Sequence, residues 1–134
     1  MRGVLSPRVL VATILVIDDD DAIRATVTAM LETAGHAVLA RENGRDVDAL
    51  VAAEQIDLVV TDLFMPETDG LEVIEAVRRV HPGMPVLVIS GGGTSTSNLN
   101  MLDVAEMLGA HDVLAKPFRF AALLEKVDSL LEAD

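Results

Sequence analysis

Five charged or hydroxyl side chains directly follow short apolar runs of the sequence: Asp18, Asp19, Asp62, Ser90 and Lys116. Short apolar runs rich in β-branched residues and closed by a turn signal are typical of strands buried in a parallel sheet. The carboxyl ends of parallel strands lie along one edge of the sheet, which is where open α/β sheets bind their ligands. We therefore expect these five side chains to converge on one site.

The three aspartates of this set suit a hard divalent cation. Carboxylates gathered in one crevice repel one another, so at least one of them should have a raised pKa. A cation relieves this repulsion, and a set of oxygen ligands suits magnesium. We predict Asp19 and Asp62 as direct ligands and Asp18 as a ligand through water, with the backbone carbonyl of Phe64 completing the shell.

The two remaining side chains suit a phosphoryl group. The compact ammonium of Lys116 can act as a point charge for a phosphoryl oxygen, and Ser90 offers a hydroxyl donor. A metal ion, a lysine and a hydroxyl placed around a carboxylate neutralise the charge on a phosphoryl group while it transfers. Asp62 would then be the nucleophile, and an aspartyl phosphate would be the product.

The elements that position these residues alternate between apolar runs and segments of helical periodicity. The predicted strands are Thr13–Ile17, Ala37–Ala40, Leu58–Thr61, Val86–Ile89 and Val113–Ala115. The predicted helices carry Ile23–Ala34, Val47–Val51, Leu71–Arg78, Leu99–Leu108 and Leu123–Leu131. Five strands alternating with five helices predict an α/β fold, a doubly wound parallel sheet with helices on both faces.

Composition narrows the function classes. A chain of 134 residues is of single-domain size, and with 51% hydrophobic residues it can bury a core without disulfides. It has no cysteine, which excludes disulfides, thiolate chemistry and cysteine metal sites. Three Phe and no Trp or Tyr make base stacking an unsuitable binding mode.

The formal net charge of −12 argues against non-specific binding to nucleic acid and to anionic membranes, and it is compatible with a basic protein partner or a cation. The apolar run that ends at Ile17 follows a basic residue, Arg2, as in a signal peptide. However, the run leads into four consecutive aspartates and lacks a small-residue cleavage site. It is also too short to span a bilayer.

Taken together, four segments resemble the receiver domain of the two-component response regulator family, in its stand-alone chemotaxis-type form. The segments are Ile14–Asp20, Asp62–Gly70, Val88–Gly91 and Lys116–Phe118. The resemblance covers about residues 12–132 and implies a flavodoxin-like (βα)5 fold with strand order 2-1-3-4-5. On this basis we expect residues 1–11 to be a poorly ordered N-terminal extension and residues 12–134 to be the receiver domain.

The resemblance also implies residue roles. These are a phosphoacceptor at Asp62, magnesium at Asp18, Asp19 and Asp62, a switch hydroxyl at Ser90, a phosphate-sensing lysine at Lys116 and a cis peptide bond before Pro117. It implies a cytoplasmic signalling protein that is not an enzyme beyond its own phosphorylation and dephosphorylation. The expected partners are a sensor histidine kinase or histidine phosphotransfer protein and a downstream target protein. We expect a monomer or weak dimer, and the net charge predicts that it binds neither nucleic acid nor membrane. Because no output domain follows the last helix, we expect it to act by binding a partner protein.

Some positions depart from the family pattern. The aromatic residue that the family's switch normally has three positions before the lysine is replaced by Val113. Switching is then expected to use the polar loop that begins at Gly91, where glycines lower the cost of rearrangement. Phe64 and Gly92 occupy the two positions that often tune hydrolysis of the aspartyl phosphate. Neither can orient an attacking water, so we expect slow self-dephosphorylation.

Two alternative functions use the same residues. A haloacid-dehalogenase-like phosphatase would use Asp18 as its nucleophile with Asp20 two positions on, but Ala22 stands where that family has Thr or Val. A degenerate receiver would act as a constitutive protein-interaction module, against which the presence of Asp62 and Lys116 argues.

Several other polar residues have simpler expected roles. His36 and His111 are expected to be surface or capping residues without a metal role, and Arg24 to lie on a helix surface. Asp57 is expected to cap a strand entrance, and Asp20 to cap the first helix.

Overall fold

The chain forms one five-stranded parallel sheet. A computed structural model describes residues 11–63, 70–90, 106 and 109–132. Its strands are β1 (Thr13–Ile17), β2 (Ala37–Arg41), β3 (Leu58–Asp62), β4 (Val86–Ser90) and β5 (Asp112–Ala115). They are hydrogen-bonded in the order β2-β1-β3-β4-β5, and all four pairs are parallel. The predicted strand order is confirmed.

Four helices flank this sheet in the described part of the chain. They are α1 (Asp21–Thr33), α2 (Val47–Ala53), α3 (Gly70–Val80) and α4 (Phe120–Glu132). The further helix predicted over Leu99–Leu108 lies outside the described residues except for Glu106, which is helical. Gly109 follows with φ of +113°, as expected for a residue that ends a helix.

The strands bury alternate side chains on the two faces of the sheet, as the period of two requires. Leu15, Ile17 and Val59 pack with α2 and α3. Ile14, Val16 and their neighbours pack with α1 and α4 on the opposite face. Each large aliphatic side chain so buried stabilises the fold by roughly 1.5–3 kcal/mol. Helices therefore cover both faces, and both cores hold the strand ends in place.

Helix α1 starts after Asp20, the N-cap that its sequence predicts. The carboxylate of Asp20 accepts hydrogen bonds from the N–H groups of Ala22 (2.9 Å) and Ile23 (3.1 Å). Such an N-cap is worth about 1 kcal/mol. The helix is followed by Gly35 with φ of +100°, a conformation that costs glycine little and other residues more.

Side chains placed just before three strands fasten the amino edge of the sheet. Nδ1 of His36 accepts the N–H of Ala12 at 3.1 Å, and Oδ2 of Asp57 accepts the N–H of Thr13 at 2.8 Å. Nδ1 of His111 likewise accepts the first N–H of β4 at 3.1 Å. The role predicted for Asp57 is confirmed. His36 is not a surface residue, because it is 6% exposed and is used as a buried acceptor.

The predicted N-terminal extension falls almost entirely outside the described residues. Residues 1–10 of the predicted N-terminal extension lie outside the described part, and the exposed Val11 is its only described residue. None of the helices among the described residues combines the length and the hydropathy of a transmembrane span.

Candidate functional site

The strand ends bring the predicted site residues to one edge of the sheet. Asp18 follows β1, Asp62 and Ser90 are the last residues of β3 and β4, and Lys116 follows β5. Strand register places Asp62 beside Ile89 and pairs Ser90 with the residue before Lys116. The backbone of Ser90 thus lies at this edge, and its side chain is outside the described part of the structure.

A lysine joins two buried carboxylates at this edge. Nζ of Lys116 lies 3.3 Å from Oδ2 of Asp18 and 3.6 Å from Oδ1 of Asp62. The two aspartate side chains are 3% and 7% exposed, and the lysine side chain is 19% exposed. Charges buried to this extent need a partner of opposite sign, because losing it would leave an uncompensated charge in the protein interior.

Three carboxylates, including the two that contact Lys116, form a cluster at this edge. Asp18, Asp19 and Asp62 each place one oxygen within 4.8 Å of the others, with Asp19 exposed and the other two buried. Oxygen ligands of one magnesium ion lie up to about 4.2 Å apart, given bonds of about 2.1 Å. Small side-chain adjustments would therefore let these carboxylates share a magnesium ion.

The environment of Asp62 disfavours its charged form. The pKa of Asp62 is raised from 3.8 to about 6, chiefly by burial and then by the negative charges of Asp18 and, less strongly, Asp19. The ammonium of Lys116 and the backbone N–H of Leu63 lower the pKa, but they do not offset the other effects. A raised pKa in the aspartate cluster was predicted from the sequence, and the structure assigns it to Asp62.

The backbone around Asp62 leaves no room for a side chain at Gly70. The N–H of Gly70 donates to the carbonyl of Leu63 at 2.8 Å. A Cβ at position 70 would lie 2.7 Å from the carbonyl oxygen of Asp62 and 2.8 Å from Cα of Leu63. Such distances are too short for real contacts, so glycine is required where α3 begins against the end of β3.

The turn after β1 uses its acidic residues differently from the phosphatase alternative. The N–H of Asp20 donates to Oδ1 of Asp18 at 2.9 Å, and the carboxylate of Asp20 caps α1. Asp18 is buried against Lys116. A carboxylate committed to a helix cap is poorly placed as the acid–base partner that such a phosphatase would need.

Arg24 was expected on a helix surface, and the structure corrects this. Its Nη1 donates to the backbone carbonyl of Asp18 at 2.7 Å, and its Nη2 donates to Oδ1 of Asp21 at 2.6 Å. The side chain is 21% exposed. The spacing of three residues between Asp21 and Arg24 was a visible signal for the second contact. The contact to Asp18 had no sequence signal, since it depends on the shape of the turn.

Of the remaining predicted site positions, the structure describes Val113 and Pro117. Phe64, with its proposed backbone ligand, and Gly91 lie outside the described residues. Val113 is half-buried in β5 and packs against the core on the side of α2 and α3. The peptide bond between Lys116 and Pro117 is cis, as predicted.

Comparison with known proteins identifies the family. The sequence profile described as the response regulator receiver domain matches residues 14–128. The chain belongs to this family. The predicted fold and the recognition of a receiver domain are both confirmed.

Sequence relatives are longer regulators. The response regulator MprA of Mycolicibacterium vanbaalenii is 36% identical over 118 residues, which are 88% of this chain and 49% of MprA. The DNA-binding transcriptional regulator NtrC of Azospirillum brasilense is 36% identical over 123 residues, which are 92% of this chain and 25% of NtrC. This receiver domain thus spans half or less of the length of these relatives.

Solved structures show the same fold in short and long proteins. The chemotaxis protein CheY4 of Vibrio cholerae is similar with a TM-score of 0.79 and 29% identity, over 91% of this chain and all of CheY4. NtrX of Brucella abortus, solved in complex with ATP, is similar with a TM-score of 0.83 and 30% identity, over 92% of this chain and 27% of NtrX. The receiver fold therefore covers nearly all of this chain.

Proposed function

We propose that this receiver domain is a phosphoacceptor in a two-component phosphorelay, and that Asp62 accepts the phosphoryl group. The observation that carries the proposal is the convergence of Lys116 and two buried aspartates, with contacts of 3.3 and 3.6 Å, at the carboxyl edge of the sheet. Family membership supports the same role.

The proposed transfer uses a phosphohistidine donor. A carboxylate oxygen of Asp62 attacks phosphorus, the phosphorus–nitrogen bond of the donor breaks, and its electron pair returns to the imidazole, which takes up a proton. With a pKa of about 6, Asp62 is mostly ionised at pH 7 and can act as the nucleophile. Lys116 would neutralise charge on the phosphoryl oxygens, and the hydroxyl of Ser90 would donate to one of them.

Magnesium is the cofactor that we propose for this site. Asp18, Asp19 and Asp62 would hold it together with the backbone carbonyl of Phe64, Asp18 acting through water. The clustering of three carboxylate oxygens within 4.8 Å supports this assignment. So does the raised pKa of Asp62, because a nearby cation would remove the electrostatic cost that raises it. When bound, magnesium would neutralise charge on the transferring group.

The proposed partners are a sensor histidine kinase or histidine phosphotransfer protein as donor and a downstream target protein as receiver of the signal. We propose a cytoplasmic signalling role, as a monomer or weak dimer, in which catalysis is limited to the domain's own phosphorylation and dephosphorylation. From the net charge of −12 we propose that the target is a protein and not nucleic acid, whereas the relative NtrC is a DNA-binding regulator.

The test is phosphoryl uptake from a small acyl-phosphate donor, followed by intact mass spectrometry. We expect the wild type to gain one phosphoryl group with magnesium and none with a chelator, and Asp62→Asn to gain none. A wild type that stays unmodified at saturating donor and magnesium would contradict the proposal. Sustained turnover of a generic phosphomonoester would instead favour the phosphatase alternative.

A further inference from the structure

We propose that Arg24 is a positioning residue for the magnesium site, which it serves by fixing the acidic turn (residues 18–21). This inference deepens the proposed function and rests on it. Arg24 itself does not belong to the carboxylate cluster. Its effect on the cation would pass through the backbone that carries Asp18 and Asp19.

The guanidinium of Arg24 holds the two ends of the acidic turn. Nη1 donates to the backbone carbonyl of Asp18 at 2.7 Å, and Nη2 donates to Oδ1 of Asp21 at 2.6 Å. A guanidinium is planar and presents its donors at fixed relative positions. Two short bonds from one planar group therefore fix where Asp18 lies relative to Asp21.

Further hydrogen bonds make the acidic turn a single connected unit. The N–H of Asp20 donates to Oδ1 of Asp18 at 2.9 Å, and the N–H of Arg24 donates to the carbonyl of Asp20 at 2.9 Å. The carboxylate of Asp20 caps α1. Arg24 thus contacts the turn through both its backbone and its side chain.

Asp19 is the ligand candidate whose position depends most on this turn. Asp18 and Asp62 are buried and contact Lys116, whereas Asp19 is exposed and lies between the two residues that Arg24 and α1 hold. Its carboxylate oxygen nevertheless lies within 4.8 Å of those of Asp18 and Asp62. A turn released from Arg24 would let Asp19 move away from the cluster and would weaken the cation site.

A purely structural role for Arg24 makes a different prediction. Asp21 is 86% exposed, and an exposed pair three residues apart on a helix adds only weakly to helix stability. If this pair were the whole role, substitution of Arg24 would change the stability slightly and leave the magnesium affinity unaltered. Magnesium affinity measured on folded protein therefore separates the two roles.

The experiment is calorimetric titration of magnesium alone into wild type, Arg24→Ala and Arg24→Lys, with folding checked by circular dichroism in chelator. Loss of a residue that orients metal ligands typically lowers metal affinity 10–100-fold. We expect Arg24→Ala to raise the magnesium Kd about tenfold. Arg24→Lys keeps the positive charge but lacks the planar guanidinium, so its magnesium Kd should lie between those of the wild type and Arg24→Ala.

Two controls locate the effect. Arg79→Ala removes an exposed arginine from the last turn of α3 and should leave the magnesium Kd unchanged. Asp21→Asn keeps the contact of Arg24 with the carbonyl of Asp18 and should raise the Kd less than Arg24→Ala does. The backbone amide resonances of residues 19 and 20 should shift in magnesium-free Arg24→Ala and not in Arg79→Ala.

The outcomes separate this inference from the proposed function. A wild-type magnesium Kd in either Arg24→Ala or Arg24→Lys would overturn the role of Arg24 and leave the proposed magnesium site intact. If Arg24→Ala does not fold, Arg24→Lys provides the same test. A wild type that binds no magnesium would overturn the proposed metal site and the inference with it.

Discussion

Replacing Asp62 by asparagine should stabilise the magnesium-free protein at neutral pH. The substitution keeps the size of the side chain and removes a charge that its surroundings disfavour. Because burial, Asp18 and Asp19 raise the pKa of Asp62 from 3.8 to about 6, the folded state binds its proton more tightly than the unfolded state. The wild type therefore loses stability as the pH rises through the window from 3.8 to about 6, and the variant does not.

The magnitude follows from the two pKa values. Each tenfold difference in proton affinity corresponds to about 1.4 kcal/mol, so the ionised Asp62 costs the magnesium-free fold about 3 kcal/mol well above pH 6. At pH 4.5 most of this cost is absent, and about 1 kcal/mol remains. The stability advantage of Asp62→Asn should thus grow by about 2 kcal/mol between pH 4.5 and pH 7.5.

Urea denaturation in chelator at both pH values measures this advantage. Asp128→Asn, which also removes one negative charge but from an exposed position on α4, is the matched control for the change in net charge. Magnesium should reduce or reverse the stability advantage of Asp62→Asn, since a ligand at a hundredfold its Kd stabilises the wild type by about 2.7 kcal/mol. An advantage for Asp62→Asn that is absent, or equal at the two pH values, would refute the electrostatic reasoning.

Three further predictions concern the framework and the lifetime of the product. Gly70→Ala should lower the free energy of unfolding by about 1–3 kcal/mol and slow phosphoryl uptake, because its Cβ would meet the backbone of β3. Gly83→Ala, which has open space around its Cβ, should be neutral or raise the free energy of unfolding by up to about 1 kcal/mol. Urea denaturation of both variants measures the difference. His36→Ala should lower the free energy of unfolding by about 1–3 kcal/mol, because it leaves the N–H of Ala12 without an acceptor. His36→Asn, whose Oδ1 can replace Nδ1 as acceptor, should recover much of this stability. Equal losses in the two variants would exclude the hydrogen bond as the cause. The acyl phosphate should outlast several seconds after donor removal, followed by mass spectrometry, because Phe64 and Gly92 cannot orient a water, and loss within seconds would contradict this.

The strands and the site edge could be predicted because their signals are local. A buried parallel strand is a short apolar run, and the run ends where the backbone leaves the core, so each predicted strand matches the observed one to within a residue at either end. The charged residue behind the run then lies at the carboxyl edge. This is why the sequence alone predicts that Asp18, Asp62 and Lys116 lie together, as the structure shows.

Contacts that depend on tertiary geometry could not be predicted. The hydrogen bond from Arg24 to the carbonyl of Asp18 requires the shape of the acidic turn, which residue types alone do not specify. The acceptor role of His36 depends on the N–H of Ala12, which is 24 residues away in the sequence and is brought close only by the pairing of β1 with β2. The sequence also does not specify which aspartate has the raised pKa, because this depends on how deeply each carboxylate is buried in the folded structure.

Locating the phosphoryl group on the chain tests the central claim most directly. After reaction with an acyl-phosphate donor and magnesium, borohydride reduction converts an acyl phosphate at aspartate into homoserine, which peptide mass spectrometry places in the sequence. We predict homoserine at position 62 only, and none in protein treated with chelator. Homoserine at position 18, or no reduced residue in protein that carries phosphate, would contradict the assignment of Asp62 as the phosphoacceptor.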